Sequence, residues 1–412
     1  MATNNLIVGL DIGTTKIAAV VAELDGSGDV RIVGVGTSPS DGLKRGVVIN
    51  LEKTVQSIKK AVEDAELMAG VEITAVYAGI AGDHIRSINS KGFIAVSRQD
   101  NEITKEDVER VIGAAKAVAI PMDREIIHVL PQEFIVDDQG GIKDPVGMSG
   151  MRLEAEVHIV TGAVTSAQNL YKCIRRAGLD VNDLVLEPLA SSYAVLSPDE
   201  EELGVALLDI GGGTTDLAII YENSIRHTAV VGLGGKNVTS DIAIGLRTSL
   251  DQAEEIKKKY GCAQEALLTE DEMLSVQGVG GRPAREVSRR ELASIIEPRM
   301  EELFTLALRE IRKTDYADLL TSGVVLTGGA ASLYGAADLG ETIFDLPVQV
   351  GVPKGFGGLM DSIKNPSYAT GLGLIHYGLK HREKDKSLLR INKSNSFEKI
   401  FERMKRWFED FF

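Results

Sequence analysis

The sequence predicts an α/β protein of two related halves around a cleft, because one strand–turn–strand phrase occurs twice along the chain. Residues 6–21 and 205–221 each contain an apolar run, a turn rich in Gly and Thr, and a second apolar run. Each phrase predicts two strands joined by a tight turn. Strands apolar on both faces belong inside a sheet covered by helices. Helical apolar spacing at 51–68, with a second long candidate at 291–313, supplies such helices.

Residues 83–164, between the two phrases, have a different pattern of apolar and polar residues. This pattern predicts a strand at 85–96, a helix at 104–118, and two further strands at 125–136 and 152–160. This segment is predicted to be a small α+β module inserted in the first half. The alternative is that it is simply part of that half.

The overall composition is that of a globular protein, but the charge is unevenly distributed. The chain has 45 Lys and Arg against 60 Asp and Glu, a net charge of −15. Residues 380–412 carry a net charge of +4, which leaves −19 on residues 1–379. Nucleic acid is not an expected partner of so acidic a body, whereas a basic terminal segment indicates an interaction. Cys173 and Cys262 lack metal-ligand spacing and are predicted to be reduced core thiols.

The two Gly/Thr-rich turns have the composition of a phosphate-binding site. Glycine lets the backbone approach an anion, and closely spaced N–H groups and hydroxyls can bind it. Asp11 and Asp209 each end the first strand of a phrase, where two carboxylates can hold a hydrated Mg²⁺. Lys16 is placed to meet a terminal phosphate as a point charge. The predicted phosphate site comprises Asp11, Gly13, Thr14, Thr15, Lys16, Asp209, Gly211, Gly212, Gly213, Thr214 and Thr215.

A third Gly-rich turn, with Gly328, Gly329 and Ala330, follows the apolar run at 324–327. It is expected on the base and sugar side of a nucleotide. Glu254 and Lys257 lie one turn apart on a predicted helix and are candidates for the same site. The alternative for these two residues is an exposed ion pair on the helix surface.

These three turns, with the connecting phrases at 186–194 and 368–373, resemble the nucleotide motifs of the actin, sugar-kinase and chaperone ATPase superfamily. Within it, the chain is similar to the FtsA family of bacterial cell division proteins in the phrases at residues 9–17, 78–85, 131–137 and 233–243. The resemblance implies an actin-like (ribonuclease H-like) fold that holds ATP and Mg²⁺ between its halves. It adds Gly234, Gly235 and Lys236 to the binding residues, although Lys236 stands where the family usually has Asn.

The resemblance also implies four subdomains followed by a tail. The expected division is a first core at 1–82 plus 165–203, an inserted module at 83–164, a second core at 204–226 plus 306–379, a nucleotide-covering subdomain at 227–305, a flexible tether at 380–395 and an amphipathic membrane-targeting helix at 396–412. The covering subdomain is implied to carry the docking surface for the C-terminal peptide of FtsZ, the tubulin-like ring protein. Arg299, at its edge, is the candidate contact.

The implied role is that of an ATP-binding protein that polymerises and tethers the FtsZ ring to the inner face of the cytoplasmic membrane at the division septum. It would also help to recruit later division proteins. Slow ATP hydrolysis is the most that is expected, because no phrase specifies a kinase substrate pocket. Glu187 is the candidate for polarising a water molecule, since related ATPases have Glu in that connecting motif; the alternative is a helix-start acid beside Pro188.

The end of the chain is expected to bind an anionic membrane surface. Its apolar residues recur at steps of three and one, which place them on one helix face: Phe397, Ile400, Phe401, Met404, Trp407, Phe408, Phe411 and Phe412. Aromatic residues opposite a face that contains basic residues are typical of a helix lying in a membrane interface. The alternative is a terminal helix docked on the protein's own core. One such helix binds weakly, so durable attachment is expected to require filaments of the protein.

Two alternative functions are kept. One is a soluble actin-fold ATPase or kinase. The other is a cell-shape actin of the MreB type, against which the inserted module and the aromatic tail argue.

Overall fold

The computed structural model describes residues 5–24, 29–97, 101–359 and 363–388, with the side chains of the last stretch described through residue 381. The predicted membrane-targeting helix at 396–412 lies outside these residues. Among the described helices, none is both long enough and apolar enough to span a lipid bilayer. Cys173 and Cys262 are buried free thiols, as predicted.

The first half begins with the predicted hairpin and continues into a long helix. Its elements are β1 (Leu6–Ile12), β2 (Lys16–Leu24), β3 (Val30–Pro39), β4 (Leu43–Lys44), β5 (Val47–Val48), α1 (Leu51–Ala69) and β6 (Ala75–Ile80). The Asn50 side chain accepts a hydrogen bond from the Lys53 N–H and so caps α1 at its start. Gly70 ends the helix in the left-handed conformation that glycine adopts without strain. The apolar face predicted for this helix is its buried face.

The inserted module is a four-stranded antiparallel sheet with one helix. Its elements are β7 (Arg86–Ala95), α2 (Lys105–Lys116), β8 (Arg124–Val136), β9 (Gln139–Ile142) and β10 (Arg152–Ala163), in the sheet order β7-β10-β8-β9. Thr104 and Asp107 form a capping box at the start of α2. A separate apolar core lies between this sheet and α2. Among the described elements of the module, the short strand β9 is the one that the sequence pattern did not predict.

The chain then returns to the first half and crosses to the second. The connecting elements are α3 (Val164–Arg176), β11 (Asp180–Leu186), α4 (Glu187–Val195) and α5 (Pro198–Leu203). The second half contains β12 (Val205–Ile210), β13 (Thr215–Tyr221), β14 (Ser224–Val231), α6 (Gly235–Leu246), α7 (Leu250–Tyr260), β15 (Met273–Val276), β16 (Arg285–Ser288), α8 (Arg289–Ile311), β17 (Val324–Thr327), α9 (Ala336–Phe344) and β18 (Val348–Val350). Two elements follow, β19 (Gly357–Gly358) and α10 (Ala369–Leu388).

The two halves have sheets of the same design, which confirms the predicted duplication. The first sheet has the order β11-β6-β1-β2-β3-β19, and the second has the order β14-β13-β12-β17-β18. In each, the Gly/Thr phrase forms an antiparallel hairpin, β1 with β2 and β12 with β13, and the hairpin's first strand has a parallel neighbour on its other side. The strands of both hairpins are almost completely buried, as expected for runs that are apolar on both faces.

The inserted module also contacts the second half, at the outer strand β14. The Ser87 hydroxyl donates to the Thr228 carbonyl at 2.9 Å, and the Gln132 amide donates to the Ile225 carbonyl at 2.9 Å. His158 lies 2.9 Å from the Thr228 hydroxyl. Backbone groups on the free edge of this sheet are therefore satisfied by side chains of the module.

The end of the described chain differs from the expected division in two ways. Residues 369–379 were expected in the second core, but helix α10 packs against α4 and the first-half strands β1, β2 and β6. Helix α10 also continues through Leu388, so residues 380–388, expected to be tether, are helical. The first difference arises because the buried residues Leu372, Leu374, Ile375 and Tyr377 complete the apolar core of the first half.

Candidate functional site

A cavity of about 390 Å³ lies between the two halves, where the turns of both hairpins meet. Its wall contains most of the predicted binding residues: Asp11, Gly13, Thr14, Thr15, Lys16, Asp209, Gly211, Gly212, Gly213, Thr214, Gly235, Lys236, Glu254, Lys257, Gly328, Gly329 and Ala330. Glu187, the predicted water-polarising residue, is in the wall as well.

Two predicted residues, Thr215 and Gly234, are not part of this wall. Thr215 is fully buried, and its hydroxyl donates to the Leu233 carbonyl at 3.0 Å because the residue already belongs to strand β13. Gly234 packs behind the second turn, where a methyl group on it would lie 2.6 Å from the Gly211 carbonyl oxygen. Both residues pack against the second turn on the side away from the cavity.

The two hairpin turns close in the same way and pack into each other. The Gly13 N–H donates to the Lys16 carbonyl at 3.0 Å, and the Gly211 N–H donates to the Thr214 carbonyl at 2.9 Å. A methyl group on Gly212 would lie 1.8 Å from Thr15 Oγ1. These contacts require glycine in the second turn, because any side chain there would collide with the first turn.

Two acidic residues stand at the ends of the hairpins' first strands, as predicted. Asp209 accepts hydrogen bonds from the Ser191 hydroxyl at 2.6 Å and the Thr370 hydroxyl at 3.1 Å. Burial raises the pKa of Asp209, and these two hydroxyls oppose that rise. Burial also raises the pKa of Asp11 to about 7, against the opposing attraction of Lys16.

A third carboxyl, Asp216, faces the same cavity and was missed from the sequence. Its Oδ2 accepts from the Thr214 hydroxyl at 3.0 Å, whereas its Oδ1 is buried without a hydrogen-bond partner among the described residues. Burial, followed by repulsion from Asp209, raises the pKa of Asp216 to about 7. The hairpin register pairs Asp209 with Asp216, so the two side chains leave the sheet on one face. That pairing is the signal that could have identified Asp216.

Glu187 adds a fourth carboxyl, at the first position of helix α4. Burial raises the pKa of Glu187 well above its usual range, and repulsion from Asp11, Asp216 and Asp209 raises it further. Among the described residues, no three His, Cys, Asp or Glu side chains are grouped so that they could coordinate a metal ion directly. The predicted role of Asp11 and Asp209 toward Mg²⁺ acts through water molecules and stays a prediction.

The ammonium group of Lys16 is attracted by two of these carboxyls, those of Asp11 and Asp209. Its ammonium donates to the Ser367 carbonyl at 2.7 Å and lies 3.6 Å from the centre of the Tyr368 ring. Burial lowers the pKa of Lys16, while attraction from Asp11 and Asp209 opposes the decrease. The segment Asn365, Pro366 and Ser367, with Thr370, also lines the cavity. It precedes and overlaps the connecting phrase at 368–373, in which no site residue is predicted from the sequence.

Helices α6 and α7 provide the opposite wall. The Lys257 ammonium donates to Glu254 Oε2 at 2.6 Å, to the Thr239 hydroxyl at 2.9 Å and to the Gly235 carbonyl at 3.0 Å. Burial lowers the pKa of Lys257. Burial would raise the pKa of Glu254, but the charge and hydrogen bond of Lys257, the Thr239 hydroxyl and the charge of Lys258 together outweigh burial, and the pKa falls. The ion pair is therefore not exposed on the helix surface, because both side chains are largely buried and both residues line the cavity. The role of these two residues in binding a nucleotide stays a prediction.

Lys236 and Arg299 are held by other parts of the chain. The Lys236 ammonium donates to the Thr14 carbonyl at 2.8 Å, which connects α6 to the first turn across the cavity. Arg299 forms a two-point contact with Asp241, from Nε at 2.5 Å and from Nη2 at 3.2 Å, and also bonds Glu302. The role of Arg299 in binding a partner stays a prediction.

Comparisons with known proteins agree with this architecture. The family described as cell division protein FtsA matches residues 206–373, and the SHS2 domain inserted in FtsA matches residues 82–161. The chain is 51% identical over 409 residues to cell division protein FtsA of Pseudomonas aeruginosa, covering 98% of both chains. It is 44% identical over 380 residues to cell division protein FtsA of Escherichia coli K12, covering 90% of both chains.

Solved structures with lower sequence identity share the fold. The PilM-PilN type IV pilus biogenesis complex matches with a TM-score of 0.67 at 18% identity, covering 90% of this chain and 98% of that one. MreB5 of Spiroplasma citri bound to ADP matches with a TM-score of 0.59 at 15% identity, covering 93% and 98%. The fold is therefore actin-like with an inserted SHS2 domain, and the chain belongs to the FtsA family of cell division proteins.

Proposed function

We propose that the chain is an ATP-regulated scaffold that polymerises and tethers the FtsZ ring to the inner face of the cell membrane at the division septum. ATP with Mg²⁺ would bind in the cavity between the halves, and later division proteins would be recruited to the filament. The observation that carries the nucleotide part is the meeting of two Gly/Thr turns, each with its own aspartate, at one cavity.

The residues of the cavity fit a phosphate chain. The glycines of the second turn bring backbone to the cavity wall, and backbone N–H groups beside an anion are the usual means of binding phosphate. Lys16, Lys236 and Lys257 supply positive charge around the cavity wall. MreB5 of Spiroplasma citri, which shares the fold, has been solved with ADP and with AMPPNP, and this supports nucleotide as the ligand here.

The residues also fit a hydrated divalent cation. Of the carboxyls that line the cavity, four have raised pKa values, those of Asp11, Glu187, Asp209 and Asp216. One oxygen of Asp216 is buried without a partner among the described residues. Mg²⁺ keeps several waters when bound to protein, and such waters would donate hydrogen bonds to Asp11 and Asp209 while the ion offsets their charge. Glu187 would orient an attacking water, so slow ATP hydrolysis is the most we expect.

Calorimetric titration with ATP tests the nucleotide part. We expect binding with Mg²⁺ present and much weaker binding when EDTA removes it. The matched variant is Asp209→Asn. It keeps the shape of the side chain and leaves an oxygen to accept from the Ser191 and Thr370 hydroxyls, but it removes the charge. Equal affinity with and without Mg²⁺, in both proteins, would exclude the proposed metal site.

The tethering part rests on the spacing of the aromatic tail, residues 396–412. Vesicle flotation with anionic lipids and ATP tests it, with the full chain compared to a chain that ends at Leu388 and so keeps helix α10 intact. We expect only the full chain to float. If neither chain floats, a soluble actin-fold ATPase becomes the better account. If both chains float, the membrane contact lies in residues 1–388 and the tail is not the anchor.

The FtsZ part rests on family membership. Docking of the FtsZ C-terminal peptide on residues 227–305 is measured by fluorescence anisotropy of a labelled peptide. In the variant Arg299→Ala we expect weaker binding if Arg299 contacts the peptide. Unchanged affinity would leave Arg299 with its contacts to Asp241 and Glu302 alone.

A further inference from the structure

One side chain of the inserted module contacts the residue that precedes a carboxyl of the cavity. His128, on strand β8, is buried, and its Nε2 accepts a hydrogen bond of 3.0 Å from the backbone N–H of Leu186. Leu186 is the last residue of β11, and the next residue is Glu187, which begins α4 and lines the cavity. The module is thus one hydrogen bond and one peptide unit away from a carboxyl of the site.

The donor in this contact lies on an outer strand. Among the described strands, β11 pairs with β6 alone, and the Leu186 N–H points to His128 on the other side. An N–H group can only donate, so the bond requires a neutral imidazole that carries its proton on Nδ1. Loss of the acceptor would leave a buried N–H unsatisfied at the start of α4, which is costly.

The Glu187 side chain has little freedom to adapt if this junction moves. It lies against strand β6 at Gly79, where an added methyl group would stand 3.0 Å from Glu187 Cγ and 3.1 Å from Oε1. A change in the position of the Leu186 backbone therefore moves the carboxyl within the cavity instead of being absorbed by the side chain.

The other face of His128 meets helix α10. The Tyr377 ring packs edge-on against His128, with ring centres 6.3 Å apart, and its hydroxyl donates to Asp183 Oδ2 at 2.8 Å. Tyr377 also stacks on His381 at 3.7 Å between ring centres. The contacts of His128 therefore connect the module to the β11–α4 junction and to helix α10.

We propose that His128 is a positioning residue for Glu187, through which the inserted module and helix α10 are coupled to the nucleotide cavity. The inference rests on the proposed binding of ATP in that cavity. The physical basis is a continuous set of packed and hydrogen-bonded groups in which each contact constrains the next.

The first test observes His128 directly. The chain has six histidines, so ¹⁵N labelling of histidine yields a small set of imidazole signals, and the signal absent from the variant His128→Gln belongs to His128. We expect that signal to show the Nδ1-protonated tautomer and to shift when Mg-ATP is added. A signal that is unmoved by saturating Mg-ATP would overturn the coupling.

The second test compares two substitutions. The Gln amide oxygen reaches about as far as Nε2 and keeps an acceptor, whereas His128→Leu removes it. We expect the affinity for Mg-ATP to fall by about fivefold to tenfold in the Leu variant and by less than about twofold in the Gln variant. Equal losses in both would indicate a packing role only.

Different results would refute nucleotide binding and the role of His128. If calorimetry shows no ATP binding to the unaltered chain, the proposed function fails, and the inference that rests on it fails too. If ATP binds with Mg²⁺ but the His128 signal and both variants' affinities are unchanged, nucleotide binding stands and only the role of His128 is refuted.

Discussion

The two hairpin turns share one backbone design and differ in nearly every side chain. Register pairs Ile12 with Ile17 in the first hairpin and Ile210 with Thr215 in the second, so each turn has four residues. Both turns close with an N–H to carbonyl bond of about the same length, 3.0 Å and 2.9 Å. The two halves therefore share the path of the backbone through the turn and differ in the side chains that the turn presents.

The differences are complementary. The middle positions of the first turn are Thr14 and Thr15, and those of the second are Gly212 and Gly213, so the threonines of one turn occupy the space left by the glycines of the other. The charged residues of the two hairpins also differ. The first hairpin pairs its aspartate with Ala18, and the second pairs its aspartate with Asp216. The first turn ends in Lys16, and the second ends in a neutral Thr.

Gly212→Ala should have the largest effect, because its methyl group would collide with Thr15 in the first turn. We expect the halves to separate at this point, with ATP binding lost and the thermal unfolding temperature lowered. The control is Gly113→Ala on helix α2, where an added methyl group meets no atom within 4 Å and where Ala is favoured over Gly by about 0.5–1 kcal/mol. A Gly212→Ala protein that binds ATP normally would contradict the interlocking of the turns.

Asp216→Asn should have the next largest effect, and its sign depends on pH. The folded-state pKa of Asp216, about 7, lies above the ordinary aspartate value of 3.8, so the folded protein loses stability as pH rises through this interval. Without nucleotide, the Asn variant should therefore unfold about 2–4 °C higher than the unaltered chain at pH 8. The difference should shrink toward pH 5, as scanning calorimetry can measure. A constant difference at both pH values would mean that charge is not the cause.

Lys16→Met should weaken ATP binding by about tenfold, the loss of one charge-assisted contact. The effect on ADP should be smaller, because Lys16 is predicted to meet the terminal phosphate. Competitive binding of a fluorescent nucleotide measures both affinities. Equal losses for ATP and ADP would place the Lys16 contact elsewhere on the phosphate chain.

Lys236→Asn should have the smallest effect, since it removes one hydrogen bond to the Thr14 carbonyl and introduces the residue usual in the family. We expect ATP affinity to change by less than about threefold. A loss as large as that of Lys16→Met would show that Lys236 binds the nucleotide directly.

The sequence by itself determined the elements and their repetition. Periodicity over residues 51–68 and in the two hairpins depends on neighbours a few positions apart, so helix α1 and both turns could be predicted from local pattern. The inserted module was predicted for the same reason, because its strands and helix have their own apolar pattern.

The tertiary structure decided which of these elements face each other. Thr15 against Gly212, Lys16 against Ser367 and His128 against Leu186 are contacts between residues far apart in the chain, and no local pattern specifies them. Burial of the carboxyls also depends on segments far apart in the chain. In the sequence, Asp216 and Glu187 are an ordinary strand acid and an ordinary helix-start acid. Their pKa values rise because both halves enclose them. Local spacing determines the backbone, whereas the charge and shape of the site arise only when distant segments exclude water together.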